Sequence, residues 1–146
     1  MKYSNRVEIH RPLENVVKLW NDENNFFYWQ DGFVNIDHIK GMPGEPGSES
    51  NIYLKLNNRE MVLKETVLSN NLPHEKCVLI EHSHMTNTMT TKFRELGEGV
   101  TEYSCLIEYT KFNGIIAKLM ALLVPNFFKK QSQKWLDNFK AFAEAS

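Results

Sequence analysis

The chain has 146 residues, 17 of them basic and 18 acidic, for a formal net charge of -1 at pH 7. That balance gives the molecule as a whole no field able to gather nucleic acid or anionic lipid, and the length fits one domain whose core needs no disulfide or metal staple. The two cysteines, Cys77 and Cys105, and an opening stretch (residues 1–7) without an apolar run fit free thiols, a reducing compartment and a cytoplasmic address.

Val7 and Ile9 alternate with Glu8 and His10, which predicts a short first strand. Pro12 follows where a first helical turn tolerates a missing N–H. Leu13, Val16, Val17 and Trp20 share one side of the helix expected there, and a second short helical segment is expected over 24–29, ending near the turn pair Asp31-Gly32. From Phe33 onward the apolar period drops to two. Strands are expected at 33–40, 51–57, 60–69, 76–84, 89–96 and 102–111, separated by 41–48, Asn57-Asn58, 71–74, 86–88 and 97–99. With the first strand this makes seven, and the short connections predict an antiparallel meander.

Over residues 113–145 the pattern turns helical. Ile116, Met120, Leu123, Phe127, Phe128, Trp135, Phe139 and Phe142 recur at three- and four-residue steps, while Lys118, Lys129, Lys130, Lys134, Asp137 and Lys140 fall largely outside that stripe. Such a helix is best buried across the concave face of the preceding sheet. Pro125 removes a backbone donor and predicts a kink or break. The apolar run 115–124 contains Lys118 and falls well short of the ~20 residues that cross a bilayer. Phe127, Phe128, Lys129 and Lys130 put aromatics beside cations, as in helices that lie on a membrane, but the same stripe is needed to cover the sheet, and that reading is preferred.

This order of strand, two short helices, six strands and a long C-terminal helix resembles the START-like, Bet v 1-like superfamily (SRPBCC), which includes polyketide cyclases and many small ligand-binding proteins. The resemblance spans essentially the whole chain. It is carried by the opening Val7-Glu8-Ile9-His10-Arg11-Pro12-Leu13-Glu14-Asn15-Val16, by Trp29-Gln30-Asp31-Gly32, by the Gly41-Met42-Pro43-Gly44-Glu45-Pro46-Gly47-Ser48 turn, by the Glu65 strand ending in Leu72-Pro73, and by the Phe128-Lys129-Lys130 segment of the kinked helix. It implies an α+β helix-grip fold: a seven-stranded antiparallel curved sheet, two short helices after strand 1, and a long kinked C-terminal helix across the concave face. It also implies a cavity between sheet and helix. Activity does not follow, because similar members bind, cyclise or hydrolyse their ligands.

Glu65 shares a strand face with Met61, Leu63 and Val67, so one acid points to the more apolar side. Burial there raises a carboxyl pKa and suits a general acid, a general base or a ligand anchor; a Glu paired with a neighbouring Lys or Arg is the plainer alternative. On the last strand Tyr103, Cys105, Ile107 and Tyr109 share a face, and two phenols there either orient a ligand carbonyl or hydroxyl or sit in the core with satisfied hydroxyls. Met89, Thr91 and Phe93 mark the matching face of the preceding strand. Gln131 and Ser132 break the helical stripe; Ser132 either adds a polar spot to a cavity or bonds back to the carbonyl of Phe128.

His82 and His84, two apart on an expected strand, have the spacing of a minimal metal pair, yet no Cys or acid stands at a recognisable spacing to complete a site, so no metal is assigned. The glycines of 41–48 lack phosphate-loop spacing and no helix follows them. Nothing supports covalent catalysis or a cofactor.

The leading expectation is one START-like domain over residues 1–146 that binds a hydrophobic or amphipathic small molecule, lipid-like or polyketide-like. Met89, Phe93, Met120, Phe127 and Phe128 are expected to line the site, and Glu65, Tyr103, Tyr109 and Ser132 to orient the ligand. A polyketide cyclase or dehydratase using Glu65 or a tyrosine as acid or base is the runner-up. A protein-interaction domain with a collapsed core is the third reading. No nucleic acid and no membrane span is expected; monomer and homodimer both stay open.

Overall fold

The computed structural model describes the backbone of residues 1–123 and 126–146 and, within these, the side chains other than those of Ala121 and Leu123. Its elements are β1 (Lys2–Ile9), α1 (Leu13–Asn21), a 3-10 turn (Glu23–Asn25), α2 (Phe26–Trp29), β2 (Phe33–Lys40), β3 (Glu49–Leu56), β4 (Arg59–Asn71), β5 (Glu75–Glu81), β6 (Met85–Gly97), β7 (Val100–Phe112), α3 (Ile115–Leu123) and α4 (Phe127–Ala145). The strands form one antiparallel sheet in the order β1-β7-β6-β5-β4-β3-β2. The architecture is the α+β helix-grip fold, with a curved seven-stranded sheet and a long C-terminal helix.

Local chemistry accounts for the turns. Asn57 and Asn58 both adopt positive φ, 52° and 64°, the pair of left-handed residues that a two-residue hairpin needs to follow the twist of β3 and β4. Gly32 has φ 78°, and a Cβ there would stand 2.5 Å from the carbonyl oxygen of Lys55, so only glycine lets β2 begin this close to β3.

Several strand limits differ from those expected. β1 begins at Lys2 rather than Val7, because its inward positions Tyr3 and Asn5 are polar or amphipathic and hide the alternation. β5 ends at Glu81, and the chain reverses between His82 and Met85, whose backbones exchange hydrogen bonds of 2.8 and 3.3 Å. The connection expected at 86–88 is instead β6 strand; the true turn, Ser83-His84, lacks the Gly or Asn that marks tight hairpins. The kink expected at Pro125 lies outside the described residues.

The main core is one-sided. Ile9, Val16, Phe93, Tyr103, Leu136, Phe139 and Ala143 pack β1, β6 and β7 against α1 and the second half of α4. Phe139 is fully buried, and its ring meets Trp29 and Tyr103 edge-on at 5.2 and 5.4 Å. The end of α4 is tied down as well: Glu144 accepts from the backbone N–H of His10 at 2.8 Å and from Lys140 at 2.9 Å. A second, smaller cluster of Val67, Val78 and Ile80, with Leu63 and Met89 against it, belongs to β4–β6. No α4 residue is part of it.

α3 does not continue the sheet-facing stripe. Of the expected stripe, Ile116 is 77%, Met120 37% and Phe127 44% exposed, so its first part faces outward, and the neighbouring Ile115 and Leu122 are exposed as well. The stripe holds from Phe128 onward, where Leu136, Phe139 and Ala143 are buried. Leu123, a stripe position in the sequence, has no described side chain.

Candidate functional site

Because the two clusters pack separately, space is left between α4 and the inner face of β3–β6, and a cavity of about 620 Å³ occupies it. Leu54, Met61, Leu63, Val78, Ile80 and Met89 line it from the sheet, and Phe128, Trp135 and Leu136 from α4. The volume lies within the range of small-molecule sites, and the lining is apolar with a few polar groups set in it.

Glu65 is the charged exception on β4. It stands opposite Ser50 on β3 and Ile80 on β5 and lines the cavity, so it is reached from the hollow while protein surrounds it on the other sides. Burial is the main cause that raises its pKa, with Glu23 adding to it and Lys76 and His38 opposing it. Among the described residues no hydrogen bond or ion pair reaches its carboxyl. His38 is engaged elsewhere, with Nδ1 2.8 Å from Ser50 Oγ and Nε2 2.7 Å from Glu23 Oε1. Lys76 Nζ lies 5.8 Å from the centre of the Trp20 ring.

A second polar group spans the chain's two ends. Ser132 Oγ donates to the carbonyl of Phe128 at 2.7 Å, and Tyr3 Oη lies 3.2 Å from the same oxygen. The serine's single hydrogen is used on the carbonyl, so the Tyr3 hydroxyl is left to donate to Ser132. The Tyr3 ring lies tilted against that of Tyr109, 6.2 Å from its centre. Burial raises the pKa of both phenols, which keeps both hydroxyls neutral. The two readings of Ser132 are thus compatible: it bonds back to Phe128 and also lines the cavity.

Tyr103 lies on the same β7 face, deeply buried, and its hydroxyl accepts from Trp20 Nε1 at 3.2 Å; burial raises its pKa strongly. Cys105 is also buried, and burial pushes its thiol up to about 12. By contrast, the indole N–H groups of Trp29 and Trp135, both in the cavity wall, are buried without an acceptor among the described residues. Orphaned donors of this kind are costly in a dry core and are expected where a ligand or water completes them.

Of the other residues singled out in the sequence, Met89 and Phe128 line the cavity. Phe93 lies in the packed core, stacked on Tyr103 at 5.2 Å. Met120 and Phe127 are outside the cavity lining and are 37% and 44% exposed, because α3 and the first residue of α4 turn away from the sheet. Tyr3, Trp29, Lys76, Asn87 and Trp135 line the cavity without having been singled out as site residues. Tyr3 was hidden by the polar start of β1; a longer first strand would have exposed its inward register with Ile107.

His82 and His84 flank the β5–β6 turn rather than sharing a strand face, with His84 N–H donating to His82 Nδ1 at 3.3 Å. Burial and the neighbouring His84 lower the His82 pKa. Among the described residues no group of three or more His, Cys, Asp or Glu could hold a metal ion.

No family model matches the sequence, and no curated protein matches it. Solved structures do. The aromatase/cyclase Zhui from Streptomyces sp. R1128 superposes with a TM-score of 0.80 over 99% of this chain and 93% of that one, at 7% identity. A conserved protein from Geobacillus kaustophilus gives 0.80 over 100% and 97%, at 11% identity. Ara h 8.0201 gives 0.73 over 100% and 99%, at 12% identity. Such identities carry the architecture and nothing finer: the chain shares the helix-grip fold of these structures.

Proposed function

We propose that the protein binds a hydrophobic or amphipathic small molecule, lipid-like or polyketide-like, in the cavity between the sheet and α4. The reading takes residues 1–146 as one ligand-binding domain acting in the cytoplasm. The observation that carries it is the composition of the cavity wall: an apolar lining that also holds the Glu65 carboxyl and two indole N–H groups, none of them with a hydrogen-bond partner among the described residues. A collapsed core has no reason to keep either, whereas an amphipathic guest supplies a partner to each. The likeness in fold to the aromatase/cyclase Zhui agrees with a guest of this class. Native mass spectrometry of the purified protein tests it. A copurified small molecule, or stoichiometric displacement of a bound apolar dye by fatty acid, is expected; absence of both defeats the reading.

The enzyme reading rests on a specific feature as well. Glu65 is held towards its neutral form and faces the cavity, which suits proton transfer to or from a bound carbonyl compound, as in a cyclase or dehydratase. The other acid that acts on it, Glu23, is already engaged by His38 Nε2 at 2.7 Å, so binding is preferred. Glu65→Gln separates the two: loss of turnover with affinity kept marks catalysis, and changed affinity with no turnover marks anchoring.

A further inference from the structure

α3 is an apolar helix whose residues Ile115, Ile116, Leu119 and Leu122 fall at positions i, i+1, i+4 and i+7, a single face. That face is open: three of the four are at least three-quarters exposed and Leu119 is 47% exposed. A contiguous uncovered apolar face on a folded protein marks a contact site.

The charges around it decide what kind. Five of the chain's 17 basic residues, Lys111, Lys118, Lys129, Lys130 and Lys134, and none of its 18 acidic residues lie within 111–136. Lys134 pairs with Asp31 at 3.0 Å, while Lys111, Lys118, Lys129 and Lys130 are exposed and form no ion pair among the described residues. The near-zero net charge of the whole molecule therefore conceals a stretch of chain, α3 and its flanks, that carries positive charge alone. A second copy docking face to face would bring these lysines against their equivalents, which disfavours it. An anionic bilayer answers both features at once, with apolar side chains in the acyl boundary and lysines among the phosphates. Being nine residues long, α3 lies on such a surface rather than crossing it.

We infer that α3 and the adjacent lysines form a docking site for an anionic lipid surface. Phe128 lines the cavity next to Lys129, so docking brings this end of the cavity to the bilayer. The site does not depend on what the cavity holds.

The test is cosedimentation of the full chain with vesicles of phosphatidylcholine alone or with about one-third phosphatidylserine. Binding is expected only with phosphatidylserine and weaker at high salt. Ile116→Glu with Leu122→Glu, and separately Lys129→Glu with Lys130→Glu, are each expected to lower partitioning roughly tenfold or more while melting and dye binding stay at wild-type values. If the first pair disturbs folding, Ile116→Gln with Leu122→Gln replaces it. No binding to the anionic vesicles, or binding unaffected by these substitutions, overturns the inference. So does light scattering that shows a dimer which Leu122→Glu converts to a monomer, since α3 would then be covered by a second copy.

Discussion

Tyr3 Oη stands 3.2 Å from Ser132 Oγ, joining the first strand to the last helix across 129 positions of sequence. Ser132 also bonds to the carbonyl of Phe128, and the Tyr3 ring lies against that of Tyr109, so polar and aromatic contacts join β1 to α4 and β7 along the cavity wall. Tyr3→Phe and Ser132→Ala are each expected to lower stability by about 1 kcal/mol in urea unfolding. Their double mutant should lose less than the sum, because the second change removes a bond already broken. Strict additivity would show that the two groups do not interact.

Phe139 should be the most sensitive single position on α4. Its ring is fully enclosed by Trp29, Tyr103 and Phe142, so Phe139→Ala removes contacts on every side and is expected to cost about 3–5 kcal/mol. Ile116→Ala on exposed α3 should change stability by about 0.5 kcal/mol or less. Thermal or urea unfolding of both variants checks the contrast.

Cavity volume should control reporter binding. Met89→Trp and Phe128→Trp place larger rings in the hollow and are expected to weaken binding of an environment-sensitive apolar dye. Met120→Trp, on α3 and outside the lining, should leave it unchanged. Fluorescence titration of the three variants distinguishes the cavity from the exposed α3 surface as the dye's site.

Glu65 sets a pH dependence with a definite sign. Its folded-state pKa is raised, so the folded protein holds the proton more tightly than the unfolded chain. The contribution to stability is fully present below the unfolded value of about 4.3 and is lost as pH rises through the folded one. Glu65→Gln keeps a neutral side chain at every pH. Its melting temperature should exceed that of the wild type at neutral pH, with the gap narrowing as pH falls towards 4. An NMR titration giving an ordinary carboxyl pKa, or a gap that widens in acid, would refute this assignment.

The two thiols should differ in reactivity. Burial pushes Cys105 up to about 12, whereas Cys77 is only half-buried, with Thr90 Oγ1 3.4 Å from its sulfur. At pH 8 the thiolate of Cys105 is therefore scarce, on the order of one part in ten thousand. A thiol reagent should label Cys77 in the native protein and Cys105 only after unfolding; equal rates would show that the cavity gives the reagent free access.

Much of the architecture is legible in the linear order of residues, because binary patterning is local: period-two alternation marks β2 to β7, and the spacing of Trp135, Phe139 and Phe142 marks the covering part of α4. Placing Glu65 with Met61 and Leu63 needs only the two-residue repeat of a strand. Patterning could not tell which apolar stripe is used. Ile116 and Met120 continue the spacing of α4, yet they face outward, since only the folded sheet decides where its edge lies and which turn of helix passes beyond it. Tyr3 was out of reach for a similar reason, its polar strand being recognised by pairing with β7 rather than by its own composition. The cavity belongs wholly to the tertiary structure. It exists because α4 packs over β1 and α2 while β4 and β5 close a separate cluster, and a gap between two packed groups leaves no mark on the sequence of either.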